Sequence, residues 1–514
     1  MTVINPNSIS GITSITLPSG GDNVLTIHTN DGVERFRIDS SGNIKVGSAA
    51  TISPDGDVFF TGVTTATTFT GAHSGSGANL TSLPAAQLTG SLPAISGANL
   101  TGIAATDNVR TGILDVAGIA TFRNDVNIGA AVTISESGID AVGLGITCAN
   151  INGGQIGGRR RISINGDMII AQRATSASVS DGSNEGYSTV DRWYVLHSSS
   201  AGGVATWSQD TDVPTDYSWG RFSHSLKADV TTADTSIASN HAITLQYKIE
   251  AQDIRNSGWD YTNSSSTLSV SFWAKSVKAG TYCVSLHTHD GTVADIVKEY
   301  TLVANTWKHV ELEFPGNSGL TINDDNNSGL TVLWALVVGS NRQLDAGTTW
   351  TTRSGEGKYG SSNQVNFYDS TDNNFFLTGV QIEVGKATTF EHRSHGEELA
   401  LCQRYYYMHA DGSDTGQYEP VGTGCWYSGS EFYTAIQHPT TMRAAPSLDQ
   451  TSGTNYYYQN NAGAGGGFSD FTSMWKVSNK MSYLQKTGSS GTQGAASMIY
   501  VSSTSAKLGF SAEL

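Results

Sequence analysis

Two short segments carry side chains that suit metal binding. His287 and His289 are separated by Thr288, so a strand would place both imidazoles on one face, as a zinc site needs. Asp324-Asp325-Asn326-Asn327 clusters the oxygen ligands that calcium prefers. Each segment has a structural alternative, a polar loop following a strand for the first and a solvated loop for the second. We favour the structural alternatives and predict neither a metal site nor a cofactor.

Motifs for enzymatic catalysis are few. The sequence contains no G-x-S-x-G, no H-E-x-x-H and no paired C-x-x-C. Hydrolysis of a glycosidic bond needs two carboxylates about 5–10 Å apart. Acidic residues are present, but their spacing singles out no pair. The sequence therefore predicts a protein that is not an enzyme.

The aromatic residues are distributed very unevenly. All 10 Trp and all 20 Tyr lie beyond residue 186, and the residues before it contain five aromatics, all Phe. Exposed Trp and Tyr offer apolar faces with a polar edge, which suits contacts with sugar rings. For any one tyrosine the alternative is a place in the core or in an interface between copies. Our candidates for exposed contacts flank Gly/Ser/Asn loops near the end of the chain: Trp426, Tyr427, Tyr433, Tyr456 and Tyr458.

Composition excludes several functions for the 514-residue chain. Lys and Arg number 29 against 45 Asp and Glu, giving a net charge of −16, so binding to nucleic acid is not expected. No run of 18 apolar residues is present, so we expect no membrane insertion. The first residues have neither a basic nor an apolar leader, and the four cysteines are scattered. These features predict synthesis in a reducing cytoplasm without a secretory signal.

The first part of the chain reads as a thin, elongated structure. Leu25 to Val46 alternates apolar and polar residues between Asn/Asp/Gly turns, which predicts a β-meander. Residues 58–106 contain no Asp, Glu, Lys or Arg, and GANLT recurs at 77–81 and 97–101. A flexible linker is one interpretation. We favour a shaft of identical chains wound together, because leucines recur regularly but are too few for one chain to form a core.

The second part predicts β domains. Near alternation begins in RRRISINGDMIIAQR. Anchoring of an anion is one interpretation of Arg159-Arg160-Arg161, and we favour a surface patch at a domain boundary. Apolar residues alternate in TLSVSFWAKS, WKHVELEF and FFLTGVQIEVG, and LTVLWALVVG is apolar on both faces, as in a β-sandwich of jelly-roll type. Ser394 and Glu397 have capping-box spacing ahead of EELALCQR, which predicts a short helix. The strand pattern resumes after it, with Tyr405 and Tyr407 on one face and Tyr406 on the other.

Several strings carry a resemblance to a known family. ERFRIDSSGNIKVG, GANLTSLPAAQLTGSLPAISGANLTGI and VAGIATFRNDVNIGAAVTISESGID resemble shaft segments of bacteriophage tail fibres, in particular those of cyanophage-like podoviruses. SINGDMIIAQRATS, STVDRWY and GVQIEVGKATTFEHRSHGEELALCQRYYY are similar to the carbohydrate-binding-like head of such fibres. The string at 379–407 is the most specific of these.

The resemblance implies an elongated, intertwined homotrimer that is all-β. Its N-terminus would attach to adaptor or nozzle proteins of the phage tail, and its C-terminal domains would bind host-surface polysaccharide such as lipopolysaccharide. The expected location is the virion, in the tail fibre, after synthesis in the host cytoplasm. A tail spike that hydrolyses or deacylates the glycan is the alternative. The expected domains are 1–50 for tail attachment, 51–158 for the shaft, 159–396 for the sandwich and 397–514 for the receptor-binding tip.

Overall fold

The computed structural model describes residues 24–48, 50–65, 67–68, 70, 126–128, 132–135, 138–141, 160–198, 201–415, 418–461 and 464–514. The chain divides into two compact units, Met1–Thr121 and Phe122–Leu514. Both copies of GANLT lie outside the described residues, as does most of the uncharged run. Winding of three chains into a shaft therefore stays a prediction.

The described part of the first unit is a five-stranded antiparallel meander, in which each strand pairs with the next. This confirms the β-meander. The sheet continues through Phe60, ten residues into the segment that the sequence analysis assigns to the shaft. Its strands are β1 Leu25–His28, β2 Glu34–Ile38, β3 Ile44–Val46, β4 Ala50–Ile52 and β5 Val58–Phe60.

A three-stranded antiparallel sheet follows in the second unit, within the segment predicted to form the shaft. Its strands are β6 Val126–Ile128, β7 Val132–Ser135 and β8 Gly138–Ala141.

Two six-stranded antiparallel sheets then form a β-sandwich, as predicted. Sheet I has the order β10-β13-β18-β15-β16-β19, and sheet II has the order β17-β14-β20-β12-β11-β9. The chain crosses repeatedly between the sheets, so strands distant in sequence become neighbours. The strands are β9 Ser176–Val179, β10 Trp193–Ser198, β11 Val204–Asp210, β12 Ser225–Thr232, β13 Ala242–Glu250, β14 Thr267–Ser276, β15 Gly280–Thr288, β16 Ala294–Leu302, β17 Lys308–Pro315, β18 Ser328–Val338, β19 Thr351–Thr352 and β20 Asn374–Val384. Helix α1, Ala251–Arg255, follows β13 directly.

Strand β18 shows why one sequence pattern is apolar on both faces. Val332 and Trp334 point into the core between the sheets, and both are fully buried. On the opposite face Leu333 packs with Tyr359, which belongs to the segment that follows β19. This segment therefore covers part of the outer face of sheet I, and some side chains on that face are buried.

Helix α2, His395–Gln403, begins with the predicted capping box. The Ser394 hydroxyl accepts from the Glu397 amide at 3.4 Å, and the Glu397 carboxylate accepts from the Ser394 amide at 3.1 Å. Two backbone donors of the first turn are thereby satisfied.

The C-terminal domain consists of two sheets around its own core. The three-stranded sheet has the order β21-β30-β24, and the seven-stranded sheet has the order β26-β25-β29-β22-β23-β28-β27. Helix α3 spans Gly412–Thr415. The strands are β21 Tyr406–Asp411, β22 Pro420–Ser428, β23 Glu431–Gln437, β24 Ser447–Gln450, β25 Tyr457–Asn461, β26 Ala464–Phe468, β27 Ser473–Val477, β28 Met481–Thr487, β29 Ala496–Val501 and β30 Lys507–Ser511.

The prediction of a surface arginine patch at 159–161 is wrong for Arg161. This side chain is buried, pairs with the buried Glu398 of helix α2 and lies over the Phe390 ring at 4.5 Å. The segment from Arg160 forms no strand before β9, despite its near alternation. Its role is to bind the helix to the sandwich.

Arginines from the sandwich contact the C-terminal domain through aromatic rings and a carboxylate. The guanidinium of Arg192 lies 3.4 Å from the Tyr405 ring centroid, and that of Arg173 lies 3.5 Å from the Tyr406 centroid. Both pair with the Glu513 carboxylate, at 2.5 and 3.4 Å. Tyr405 and Tyr406 are both buried, so both faces predicted from the alternation pack against protein.

Arginines of the C-terminal side make the reverse contacts. Arg404 donates through Nε and Nη2 to the fully buried Glu250 at 2.8 and 2.7 Å. Arg443 donates to the Asn326 carbonyl of the sandwich at 2.7 Å and to the Glu513 carbonyl of its own domain at 2.8 Å. We call Arg173, Arg192, Arg404 and Arg443 the junction arginines.

Replacement of Arg404 by Ala tests this junction. It removes the cation opposite a buried carboxylate, and we expect the free energy of unfolding to fall by about 3 kcal/mol. Urea unfolding followed by tryptophan fluorescence measures the change. Lys486→Ala is the control, because it removes an ion pair whose Asp470 partner is 39% exposed. The control should cost less than about 1 kcal/mol, and equal losses in the two variants would contradict the proposed role of the junction.

Candidate functional site

The seven-stranded sheet of the C-terminal domain has one buried and one exposed face. Along β22 and β23, Trp426 and Phe432 point into the core, whereas Tyr427 and Tyr433 point outward. The two faces alternate because successive side chains of a strand point in opposite directions. Pairing of Cys425 with Tyr433 and of Tyr433 with Gln485 continues the outer face across β28.

Four rings of this outer face form a continuous row, which we call the aromatic row: Tyr427, Tyr433, Trp475 and Tyr483. Neighbouring centroids are 5.7, 5.0 and 6.3 Å apart in that order. Tyr427, Trp475 and Tyr483 are 65, 47 and 38% exposed. The planes are inclined to one another by 49–87°, so the surface is corrugated.

A polar edge borders the aromatic row. The Tyr433 hydroxyl donates to the Glu431 carboxylate at 2.5 Å, and Gln485 Nε2 lies 3.1 Å from the same hydroxyl. Hydrogen bonds from Tyr433 and Gln485 lower the pKa of Glu431, and the bond to Glu431 raises the pKa of Tyr433 to about 12. The site thus keeps an ionised hydrogen-bond acceptor next to exposed rings.

The candidates chosen from the sequence are placed differently from one another. Tyr427 and Tyr433 lie in the aromatic row. Tyr458 lies on the same face of the sheet and stacks on Tyr500, with centroids 5.3 Å apart. Tyr456 is half-buried and packs against the domain core.

The expectation that Trp426 is exposed is wrong. Its side chain is 1% exposed, its Nε1 donates to Ser497 Oγ at 2.9 Å, and Phe432 packs against it. Alternation makes adjacent Trp426 and Tyr427 point to opposite faces, but the phase depends on strand pairing. Trp475 and Tyr483 were missed, because alternation alone does not say which face of a strand is exposed, and the pairing of β27 with β28 places both on the outer face.

Variants at Trp426 and Tyr427 test this assignment of faces. Trp426→Ala leaves a large cavity and should lower the free energy of unfolding by about 3–5 kcal/mol. Tyr427→Ala removes an exposed ring and should change it by less than about 0.5 kcal/mol. Chemical denaturation of both variants measures the difference, and a reversed order would show that the faces are wrongly assigned.

A second concave surface lies on the outer face of sheet I, and we call it the cleft. It has a volume of about 290 Å³ and is lined by Tyr194, Leu196, Gln246, Lys248, His287, His289, Thr331, Leu333, Arg353, Gly357 and Tyr359. Register explains why these residues meet: Tyr194 pairs with Gln246, Lys248 with Thr331, and Thr331 with His287. Four strands, β10, β13, β15 and β18, thus contribute side chains to one face, together with His289 after β15 and the segment after β19.

The two histidines considered as metal ligands point into this cleft but have other partners. His287 Nε2 donates to the Lys358 carbonyl at 2.8 Å, and His289 Nε2 lies 2.7 Å from Thr331 Oγ1. The Asp290 carboxylate accepts from Asn323 at 2.9 and 2.7 Å. In the part of the chain that the structure describes, no three His, Cys, Asp or Glu side chains are grouped as metal ligands would be.

The acidic loop at Asp324 to Asn327 contributes to the junction. Asn326 donates to the Arg443 carbonyl at 2.6 Å and accepts from its guanidinium. Asp325 accepts from the Asn327 amide at 3.0 Å, and its carbonyl accepts from the Gln252 amide at 2.9 Å. These contacts give the loop a structural role.

Burial lowers the pKa of His287 to about 4, from an ordinary value near 6.5. The unfolded state therefore binds more protons between these values, and stability should be lost as pH falls from about 6.5 to 4. His287→Gln keeps an amide donor for Lys358 but does not titrate. Between about pH 7.5 and 4.5 the wild type should lose about 2–3 kcal/mol more unfolding free energy than the variant. Parallel pH profiles for the two proteins would contradict this prediction.

Comparison with known proteins gives weak likenesses in structure. No family model matches the chain, and no curated protein matches it. The enzymatically active domain of bacteriophage CBA120 tailspike protein 4 is similar over 40% of this chain, with 16% identity and a TM-score of 0.22. The match spans 21% of that tailspike chain.

Several carbohydrate-binding modules are also among the similar structures. A family 4 module matches 43% of this chain and 99% of its own length, with 13% identity and a TM-score of 0.23. The CBM22-1 xylan-binding domain from Paenibacillus barcinonensis Xyn10C matches 43% and 97%, with 10% identity and a TM-score of 0.20. TM-scores this low assign no function.

No helix in the described residues is long and apolar enough to cross a membrane.

Proposed function

We propose that this chain is a bacteriophage tail fibre that binds glycan on the host surface through the aromatic row. The observation that carries the proposal is a row of four neighbouring rings on the exposed face of a well-packed sheet. Soluble domains seldom leave so many large aromatic side chains exposed side by side without a ligand or partner for them. The resemblance of the sequence to tail fibres supplies the biological setting.

The chemistry of the aromatic row suits a saccharide. Ring faces cover the apolar C–H surface of a sugar, while the Glu431 carboxylate, the Gln485 amide and the Tyr433 hydroxyl offer hydrogen bonds to its hydroxyl groups. Inclined rings fit a flexible, twisted polysaccharide better than a flat crystalline surface. Each ring contributes about 1 kcal/mol by analogy with aromatic pairs, so a single copy of the row binds weakly.

Weak binding per copy favours an assembly. We propose a homotrimer, attached through its N-terminal region to the adaptor or nozzle proteins of the phage tail. Three tethered copies make the second and third binding events effectively intramolecular, which raises overall avidity without new contacts. The proposed activity is adsorption without cleavage of the glycan.

A double variant tests the aromatic row. Tyr427→Ala with Trp475→Ala removes two exposed rings, so binding of the purified full-length chain to host cells should weaken about 30-fold per copy, or more with avidity. Competition with phage adsorption measures the effect. Tyr217→Ala is the matched control, because Tyr217 is a similarly exposed tyrosine (58%) outside the C-terminal domain.

Unchanged adsorption by the double variant, or an equal loss in the control, would contradict the proposed site. The same protein incubated with purified envelope polysaccharide should leave its chain length unchanged. Shorter products or released acyl groups would favour the tail spike instead.

A further inference from the structure

Two cationic side chains line the cleft on sheet I although the chain as a whole is acidic. Its lining includes Lys248 and Arg353 and, among the described residues, no Asp or Glu side chain. The whole chain has a net charge of −16. The buried Asp295 carboxylate offsets the charge of Arg353. Lys248 and the outward N–H groups of Arg353 therefore supply the attraction for an anionic group, and the low-dielectric walls strengthen it.

Lys248 is held in place at the edge of the cleft. Its Nζ lies 4.1 Å from the Tyr194 ring centroid and donates to the Leu514 carbonyl at 2.9 Å. The Tyr187 ring centroid lies 5.8 Å away. An ammonium group has three N–H donors, and Leu514 accepts one of them, so donors remain for a ligand. Burial lowers the pKa of Lys248 from its ordinary value, which shows that the charge is partly removed from water.

Arg353 is oriented by a buried carboxylate. Its Nε donates to both oxygens of Asp295 at 3.0 and 3.1 Å, and Nη2 donates to the same group at 2.5 Å. Asp295 is fully buried and also accepts from the Lys358 amide at 3.0 Å. The other terminal nitrogen of Arg353, Nη1, has two further N–H donors. The guanidinium is therefore fixed in direction before any ligand arrives.

The remaining lining supplies the contacts of a sugar ring. Tyr194, Leu196 and Leu333 contribute apolar surface, and Gln246 and Thr331 contribute an amide and a hydroxyl. A volume of about 290 Å³ is near the lower end of the range for ligand pockets, which is roughly 300–1,000 Å³. It accommodates a single sugar unit better than a long segment of chain.

The geometry points to the cleft as a second saccharide subsite, selective for a sugar unit that carries a carboxylate or a phosphate. The anionic group lies between Lys248 Nζ and the Arg353 guanidinium, with the ring against Tyr194 and Leu196. This inference rests on the proposed function in that the ligand is a saccharide, but it uses none of the residues of the aromatic row.

Binding of defined sugars to the full-length chain tests the subsite. The probes are an oligogalacturonate, which carries carboxylates, a phosphorylated mannooligosaccharide and a neutral maltooligosaccharide of similar length, followed by calorimetry at low and high salt. Wild-type protein should bind at least one acidic probe more tightly than the neutral one, and the difference should shrink with salt because exposed charges are screened. The acidic probe that binds identifies the anionic group as a carboxylate or a phosphate.

Lys248→Met should weaken binding of the acidic probe about tenfold or more, as expected for loss of a charge-assisted hydrogen bond. Lys248→Arg keeps the charge and should retain most of the affinity. Lys308→Met is the matched control, since it makes the same change at an exposed lysine of sheet II. Thermal unfolding of each variant confirms that the fold is retained.

Equal affinity of wild type for acidic and neutral probes would overturn the subsite, as would no binding of either acidic probe at millimolar concentration. An equal loss in Lys248→Met and Lys308→Met would do so too. Adsorption that depends on Tyr427 and Trp475, without any binding of acidic sugars, would remove this inference alone. Acidic-sugar binding that depends on Lys248, with adsorption unaffected by the double variant, would remove the aromatic row as the receptor site alone.

Discussion

The four junction arginines lie between the sandwich and the C-terminal domain. Each contacts oxygen atoms or aromatic rings of the other domain. A buried guanidinium is costly unless it is paired and hydrogen-bonded, and the same holds for a buried carboxylate such as Glu250. The two hydrogen bonds between Arg404 and Glu250 also fix the relative orientation of the two side chains. Sliding of one domain on the other would leave several charges unpaired at once, so the contacts specify a single arrangement.

The junction and the cleft share a residue. The Lys248 carbonyl accepts from Arg192 at 2.7 Å, while its ammonium group lines the cleft and donates to Leu514. Arg192 in turn contacts Tyr405 and Glu513. Side chains that position the last residues of the chain therefore also set the edge of the cleft, and the proposed second subsite is preorganised by the same contacts that hold the C-terminal domain.

Local patterns in the sequence predicted the elements well and the surfaces poorly. Alternation gave the sandwich strands, and the Ser394–Glu397 spacing gave the start of helix α2, because both depend on neighbouring residues only. The prediction that Trp426 is exposed was wrong. Which side chains of a strand face the core depends on the neighbours of that strand, here Phe432 and Ser497. The aromatic row joins four strands, and Trp475 enters it only through the pairing of β27 with β28.

The cleft escaped prediction for a related reason. Its lining comes from β10, β13, β15 and β18, together with the segment after β19, and these become neighbours only through the crossovers of the sandwich. Because β18 is mostly apolar, its sequence did not indicate that Thr331 lines a polar cleft on the outer face of sheet I. The favoured interpretation of a polar loop was wrong for His287, which lies in β15, and both His287 and His289 line the cleft. Their partners Lys358 and Thr331 are 71 and 42 residues away.

Strict alternation in the seven-stranded sheet separates two sets of side chains within the same short strands. Trp426, Phe432 and Leu484 are buried in the core, whereas Tyr427, Tyr433 and Tyr483 lie on the outer face of the sheet. We therefore expect substitutions in the second set to leave the packing of the first unchanged. Under the proposed glycan-binding function, this separation lets the binding surface change its ligand through single substitutions while the fold is kept.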